Sequence, residues 1–162
     1  MTIKQFNRIV EIRTKVISMA TFLAGSLFAV ISTGSWSWLR FLIMGVAVLC
    51  VDMGTTGFNS YFDFRNGTDT KKYNLEKDKV LVHEGVKPEY ALYISVALFG
   101  IAGFLGLILA WLSSWWLLVV GGLCFVVGFA YTGGPLPISR TPFGELFAGG
   151  FLGTVLFILS YY

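Results

Sequence analysis

The sequence predicts an all-α integral membrane bundle of about five transmembrane helices, with its N-terminus in the cytoplasm. Three observations carry this. Of the 162 residues, 56% are hydrophobic and only 13% are charged, with a mean hydropathy of +0.73; a soluble domain carries roughly a quarter charged residues. Five apolar stretches, roughly residues 16–33, 39–58, 90–112, 115–131 and 143–159, come close to the ~20 residues that a helix needs to cross the hydrocarbon core. Finally, Lys and Arg fall almost entirely on one side of such a topology.

The first stretch follows Lys4, Arg8, Arg13 and Lys15 and is too long for the h-region of a cleavable signal peptide. Between the first and second stretches lie Trp36, Trp38 and Arg40. The loop after the second holds Arg65, Lys71, Lys72, Lys77, Lys79 and Lys87. Ser113-Ser114 alone separates the third from the fourth, which predicts a tight helical hairpin. Arg140 lies in the loop before the fifth. Of the 12 Lys and Arg residues, only Arg40 then stands on the far side. That bias places the N-terminus and both longer loops in the cytoplasm, with Trp36, Trp38, Trp115 and Trp116 at the opposite interface. Residues 1–162 are expected to form a single transmembrane domain in the cell membrane. Cys50 and Cys124 sit inside apolar runs and behave as small hydrophobes. No basic patch is interleaved with exposed aromatics, so nucleic acid is not an expected partner.

Chemistry concentrates in two segments. The first runs from Asn59 through Asp63, Arg65, Asn66 and Gly67 to Asp69, where the second span ends. Asn59 and Asp63 are four apart and share one helix face. Asn66-Gly67 is a stop signal, and a turn there could return Asp69 toward Asp63. Three oxygen-bearing side chains would then meet at a membrane surface, a donor set suited to Mg²⁺ held with substrate phosphates. The surrounding lysines would attract a phosphorylated substrate. Equally, these are ordinary polar residues where a helix leaves the bilayer. Asp52 lies inside the second span, where a carboxylate is costly; it either bonds a neighbouring helix or meets a substrate. The second segment, Tyr131 to Glu145, is rich in Gly and Pro. Within it Arg140 either pairs with Glu145 or reaches a substrate carboxylate or phosphate.

Together these segments resemble the UbiA superfamily of intramembrane prenyltransferases, and within it the dihydroxynaphthoate polyprenyltransferase branch of menaquinone biosynthesis. Arg13-Thr14-Lys15 stands at the place of the family's basic motif before span one, with Thr14 where proline is usual. Asn59, Asp63, Gly67 and Asp69 match the first aspartate-rich motif, with Ser60 in place of the aspartate usual at its second position. Lys79 to Gly85 is similar to the basic loop that follows, and Tyr131, Gly144 and Glu145 match the segment before span five.

The resemblance implies that isoprenyl groups pass from an isoprenyl diphosphate to an aromatic acceptor such as dihydroxynaphthoate. It implies a Mg²⁺ site at Asn59, Asp63 and Asp69, with Asp63 and Asp69 catalytic, and substrate contacts from Asn59, Lys15, Lys72, Lys79, Tyr131 and Arg140. The family also carries a second aspartate-rich motif that this sequence does not contain. The expectation is therefore an incomplete fold of this type: a fragment, or a half that works with a C-terminal half or a second chain. Its packing should leave a lateral cleft near Asp63. A noncatalytic membrane module, or degenerate remnant of the family, is the competing expectation. A transporter component ranks last, since only Asp52 lies deep in a span.

Overall fold

The computed structural model describes residues 1–70, 79–134 and 137–161. All regular structure among them is helical. A short helix α1 (Ile3–Ile9) opens the chain. Thr2 and Gln5 cap it reciprocally: Thr2 Oγ1 accepts from the Gln5 amide at 3.2 Å, and Gln5 Oε1 accepts from the Thr2 amide at 2.8 Å. Such a box satisfies two of the helix's orphan donors. Thr2→Ala should destabilise α1 by about 1 kcal/mol, seen as faster amide hydrogen exchange across the helix.

A 3-10 turn (Ile12–Lys15) leads into α2 (Val16–Thr33), which stops at Gly34 in the left-handed region, φ 66°. Helix α3 (Trp38–Arg65) starts at Ser37, whose side chain accepts from the Arg40 amide, and runs for 28 residues. At 1.5 Å per residue it is about 42 Å long, well beyond a hydrocarbon core of about 30 Å. The apolar stretch expected over 39–58 thus continues as helix through the polar residues that follow. After the small α4 (Val80–His83), α5 (Pro88–Leu112) begins with Pro at its first position, where the missing N–H costs nothing. The Ser113-Ser114 hairpin forms, and α6 (Trp116–Ala130) follows it. This fourth apolar helix has only 15 residues, about 22 Å. The last hydrophobic stretch is one continuous helical rod: α7 (Gly144–Gly149), a π-helical turn (Gly150–Val155) and α8 (Leu156–Tyr161). Among the described residues, four helical segments are therefore long and apolar enough to cross a membrane, with α6 as a shorter apolar fifth.

Small residues bring the helices together, as in membranes, where lipid is as apolar as leucine and close backbone approach supplies the attraction. Gly54 and Gly57 of α3 lie directly against Phe99 and Ser95 of α5. Gly25 of α2 lies against the Phe157 carbonyl of α8. One buried cluster gathers Ile9, Val10, Tyr61, Val80, Leu81 and Ala91 at the end of the bundle where α3 finishes; a second gathers Phe22, Val48 and Leu156 within it. Large apolar side chains face outward along the rods, Trp111 and Ile31 among them. That is the pattern of a multi-pass membrane protein, whose outer face is solvated by lipid.

Candidate functional site

The polar end of α3 carries the first group of candidates. The helix ends at Arg65 and the chain reverses through Gly67, whose φ of 72° favours glycine. The Thr68 and Asp69 amides then both donate to the Asp63 carbonyl, at 2.9 and 3.0 Å. Asp69 is thereby returned beneath Asp63, and the two carboxylates act on one another electrostatically. Each faces a different cation. Asp63 Oδ1 is 3.4 Å from Arg140 Nη2, which also donates to Thr68 Oγ1 at 2.6 Å. Asp69 is buried, with Oδ2 3.8 Å from Lys79 Nζ; Lys79 in turn donates to Glu11 Oε1 at 3.2 Å. Beside this, Arg8 and Gln5 of α1 grip Glu84 just after α4. Among the described residues, no three His, Cys, Asp or Glu side chains form a cluster that could hold a metal ion.

The second group surrounds a buried ion pair inside the bundle. Lys15 is 4% exposed, and its Nζ donates to Asp52 Oδ1 at 2.8 Å and to Thr56 Oγ1 at 2.5 Å. Asp52 Oδ2 accepts from Ser18 Oγ at 2.5 Å. Both carboxylate oxygens are satisfied, so the charge is paired as a low-dielectric site requires. Asp52 therefore ties the start of α2 to α3, and it also faces a cavity. That cavity is about 400 Å³ and lies between α2, α3, α5, α6 and the last rod. Its polar mouth holds Glu11, Thr14, Lys15, Asn59 and Tyr131; Asp52, Thr55 and Thr56 lie further in, and most of the remaining lining is apolar, with Val48, Phe125, Phe151 and Leu156.

These positions differ from the sequence expectations in several ways. Asn59 lines the cavity, but Asp63, one turn further along α3, and Asp69 do not. The cleft thus opens beside the aspartate-rich segment and not onto Asp63 itself. Lys15 and Tyr131 share the cavity mouth, whereas Lys79 and Arg140 are engaged with the two aspartates. Lys72 lies outside the described residues. Among the described residues Arg140 bonds Asp63 and Thr68 in place of Glu145. Ser60, at the motif position of an aspartate, is buried and donates to the Ile9 carbonyl at 3.1 Å. It thereby pins the N-terminal segment to α3.

The Lys15–Asp52–Ser18–Thr56 network was missed as a unit. A signal for it existed: a carboxylate inside a span needs a partner, and Lys15 is the basic residue at the start of the adjacent antiparallel span.

A multi-pass helical bundle with an apolar cavity and paired carboxylates at one end is that of a membrane-embedded protein. Residues 18–162 match the UbiA prenyltransferase family, and the chain belongs to it. It is 41% identical over 124 residues to the 1,4-dihydroxy-2-naphthoate octaprenyltransferase of Bacillus subtilis (strain 168), covering 76% of this chain and 40% of that protein. A protein of the same name in Mycobacterium tuberculosis (strain ATCC 25618 / H37Rv) is 31% identical over 140 residues, 82% of this chain and 47% of the relative. UbiA prenyltransferase domain-containing protein 1 of Danio rerio is 33% identical over 122 residues, 72% of this chain and 35% of the relative. The chain thus spans less than half the length of these relatives. No solved structure gives a significant match.

Proposed function

We propose that this chain forms the isoprenyl diphosphate side of a prenyltransferase site that alkylates an aromatic acceptor of the dihydroxynaphthoate type, in the pathway to menaquinone. The observation that carries the proposal is the cavity: an apolar space of about 400 Å³ whose polar mouth holds Lys15, Asn59 and Tyr131, next to the Asp63–Asp69 pair. An isoprenyl diphosphate has the same polarity, an apolar tail with an anionic head. In the reaction, the allylic carbon–oxygen bond breaks and diphosphate leaves with the electron pair. The allylic carbon then bonds to a ring carbon, and that ring carbon loses its proton.

The residues present fit Mg²⁺: two carboxylates and one amide oxygen are hard donors, and this ion is commonly held by one or two carboxylates plus substrate phosphates. Asp63 and Asp69, with Asn59, would hold it, and the bound ion would supply positive charge at the diphosphate. Arg140, Lys79 and Lys72 would neutralise the leaving group, the largest catalytic contribution in sites of this kind. The apolar depth would hold the tail and exclude water from the allylic carbon. The polar end of the bundle faces the cytoplasm on this reading, as the bias of Lys and Arg requires. The rest of the fold that the longer relatives carry would come from the same or a second chain.

The competing reading, a noncatalytic membrane module, draws on Ser60, which is committed to the Ile9 carbonyl where the family motif has a carboxylate. One experiment separates the two. Geranylgeranyl diphosphate binding is measured on the purified chain in detergent, with and without Mg²⁺, beside Asp63→Ala. Binding strengthened about tenfold or more by Mg²⁺, and returned to the metal-free level in the variant, is the expected result. No binding under any condition would replace the enzymatic reading by the noncatalytic one.

A further inference from the structure

A second cavity, about 210 Å³, lies at the end of the bundle away from Asp63. Its wall includes Arg40 of α3, which stands about 35 Å from Asp63 along that helix at 1.5 Å per residue. That is more than a hydrocarbon core of about 30 Å, so the two residues reach opposite membrane boundaries. Trp36 lines the same cavity, with its ring 4.8 Å from Phe41 and edge-on to Trp38 at 5.0 Å. Tryptophans of this kind sit at the headgroup level of a bilayer.

The cavity offers donors and positive charge without a counter-charge. Arg8, Lys15, Lys79 and Arg140 each face a carboxylate. The Arg40 guanidinium, by contrast, makes no hydrogen bond or ion pair among the described residues, and no Asp or Glu among them lines the cavity. Several hydroxyls in the wall are already committed: Ser26 Oγ donates to the Phe22 carbonyl at 2.9 Å, and Thr33 Oγ1 to the Ala29 carbonyl at 2.8 Å. Two are not. Ser37 Oγ accepts from the Arg40 amide at 3.4 Å, so its own proton is left to donate. The Ser113 hydroxyl, from the α5–α6 hairpin, makes no hydrogen bond among the described residues. Two separate connections of the chain thus bring uncommitted donors to one cavity, beside an uncompensated guanidinium.

We propose that this cavity binds the phosphodiester headgroup of an anionic phospholipid, in the leaflet opposite the Asp63–Asp69 pair. A phosphodiester supplies what the wall lacks, an anion whose oxygens only accept. A guanidinium grips two such oxygens at once, and the hydroxyls of Ser37 and Ser113 complete the set. Basic pockets between transmembrane helices take lipid headgroups by this chemistry. The volume is below the roughly 300–1,000 Å³ of a pocket that encloses a whole small molecule, so the headgroup enters while the acyl chains stay in the bilayer. Inorganic phosphate presents similar oxygens without the glycerol and chains, so the test separates the two.

Dioleoyl phosphatidylglycerol is titrated onto the purified chain in detergent, and retained lipid is counted by native mass spectrometry for the parent, Arg40→Gln, Arg40→Lys and Ser113→Leu. At equal lipid concentration, Arg40→Gln and Ser113→Leu should each retain one lipid fewer than the parent. Arg40→Lys keeps the charge but loses the planar fork, so it should retain that lipid with weakened affinity. Because Arg40→Lys shares the substituted position, its retained lipid separates a lost site from a lost fold. Excess inorganic phosphate should leave the lipid in place. An unchanged lipid count in Arg40→Gln would overturn the proposal. A loss in Arg40→Gln that Ser113→Leu does not share would make Arg40 a surface charge and not part of a cavity site, and displacement by inorganic phosphate would make the ligand a free anion; each of these also overturns it.

Discussion

Lys15→Ala is expected to destabilise the bundle by about 3–5 kcal/mol, because it leaves the Asp52 carboxylate buried without its cation. The Lys15 and Asp52 side chains are only 5% and 13% exposed, so neither can recover hydration where it stands. Asp52→Ala should cost about as much, now stranding the ammonium group. The double variant Lys15→Met/Asp52→Leu should be far milder than either, because the pair's value lies largely in mutual compensation. Thermal unfolding in detergent, followed by circular dichroism, reads all three. If the two single losses simply add in the double variant, the pair is not coupled and the account of the network fails.

Gly57→Leu is expected to be nearly as damaging, by about 3 kcal/mol. A Cβ at Gly57 would fall on Ser95 Oγ, so α3 and α5 would have to separate along the interface that contains both residues. Separation there also moves Gly54 away from the Phe99 ring and disturbs the wall that positions Asn59. The milder Gly57→Ala should be partly rescued by Ser95→Ala, which removes the hydroxyl in the way. Gly100→Ala serves as the control, since an added Cβ there meets nothing within 4 Å. Equal effects at Gly57 and Gly100 would mean that glycine acts here through helix propensity and not through packing.

Hydropathy and the distribution of Lys and Arg make the spans legible, because crossing a membrane is a matter of length and polarity that the chain carries locally. The Ser113-Ser114 hairpin, the stop at Gly67 and the return of Asp69 beneath Asp63 are likewise local, set by turn chemistry over a few residues. What the sequence does not display is which polar groups pair across helices. Arg140 and Asp63 are 77 positions apart, and Lys15 and Asp52 are 37 apart. Those pairings depend on how far each helix turns before it meets its neighbour. Continuing α3 to Arg65 rotates Asn59 toward the cavity while Asp63 meets Arg140, a separation that shared helix-face spacing alone does not reveal. The shortness of α6 is legible as well: the apolar stretch over 115–131 becomes a helix one residue shorter at each end.

That shortness has a mechanical consequence. Beside neighbours of 18 to 28 residues, α6 spans only about 22 Å, so lipid packed against it must thin by several ångströms or leave its ends uncovered. Trp115 and Trp116 anchor one end at an interface, which puts most of the deficit at the other end, at Tyr131. A bilayer around the chain is therefore expected to thin beside the Tyr131 end of α6, next to the cavity, to a depth that follows the thickness of the surrounding lipid.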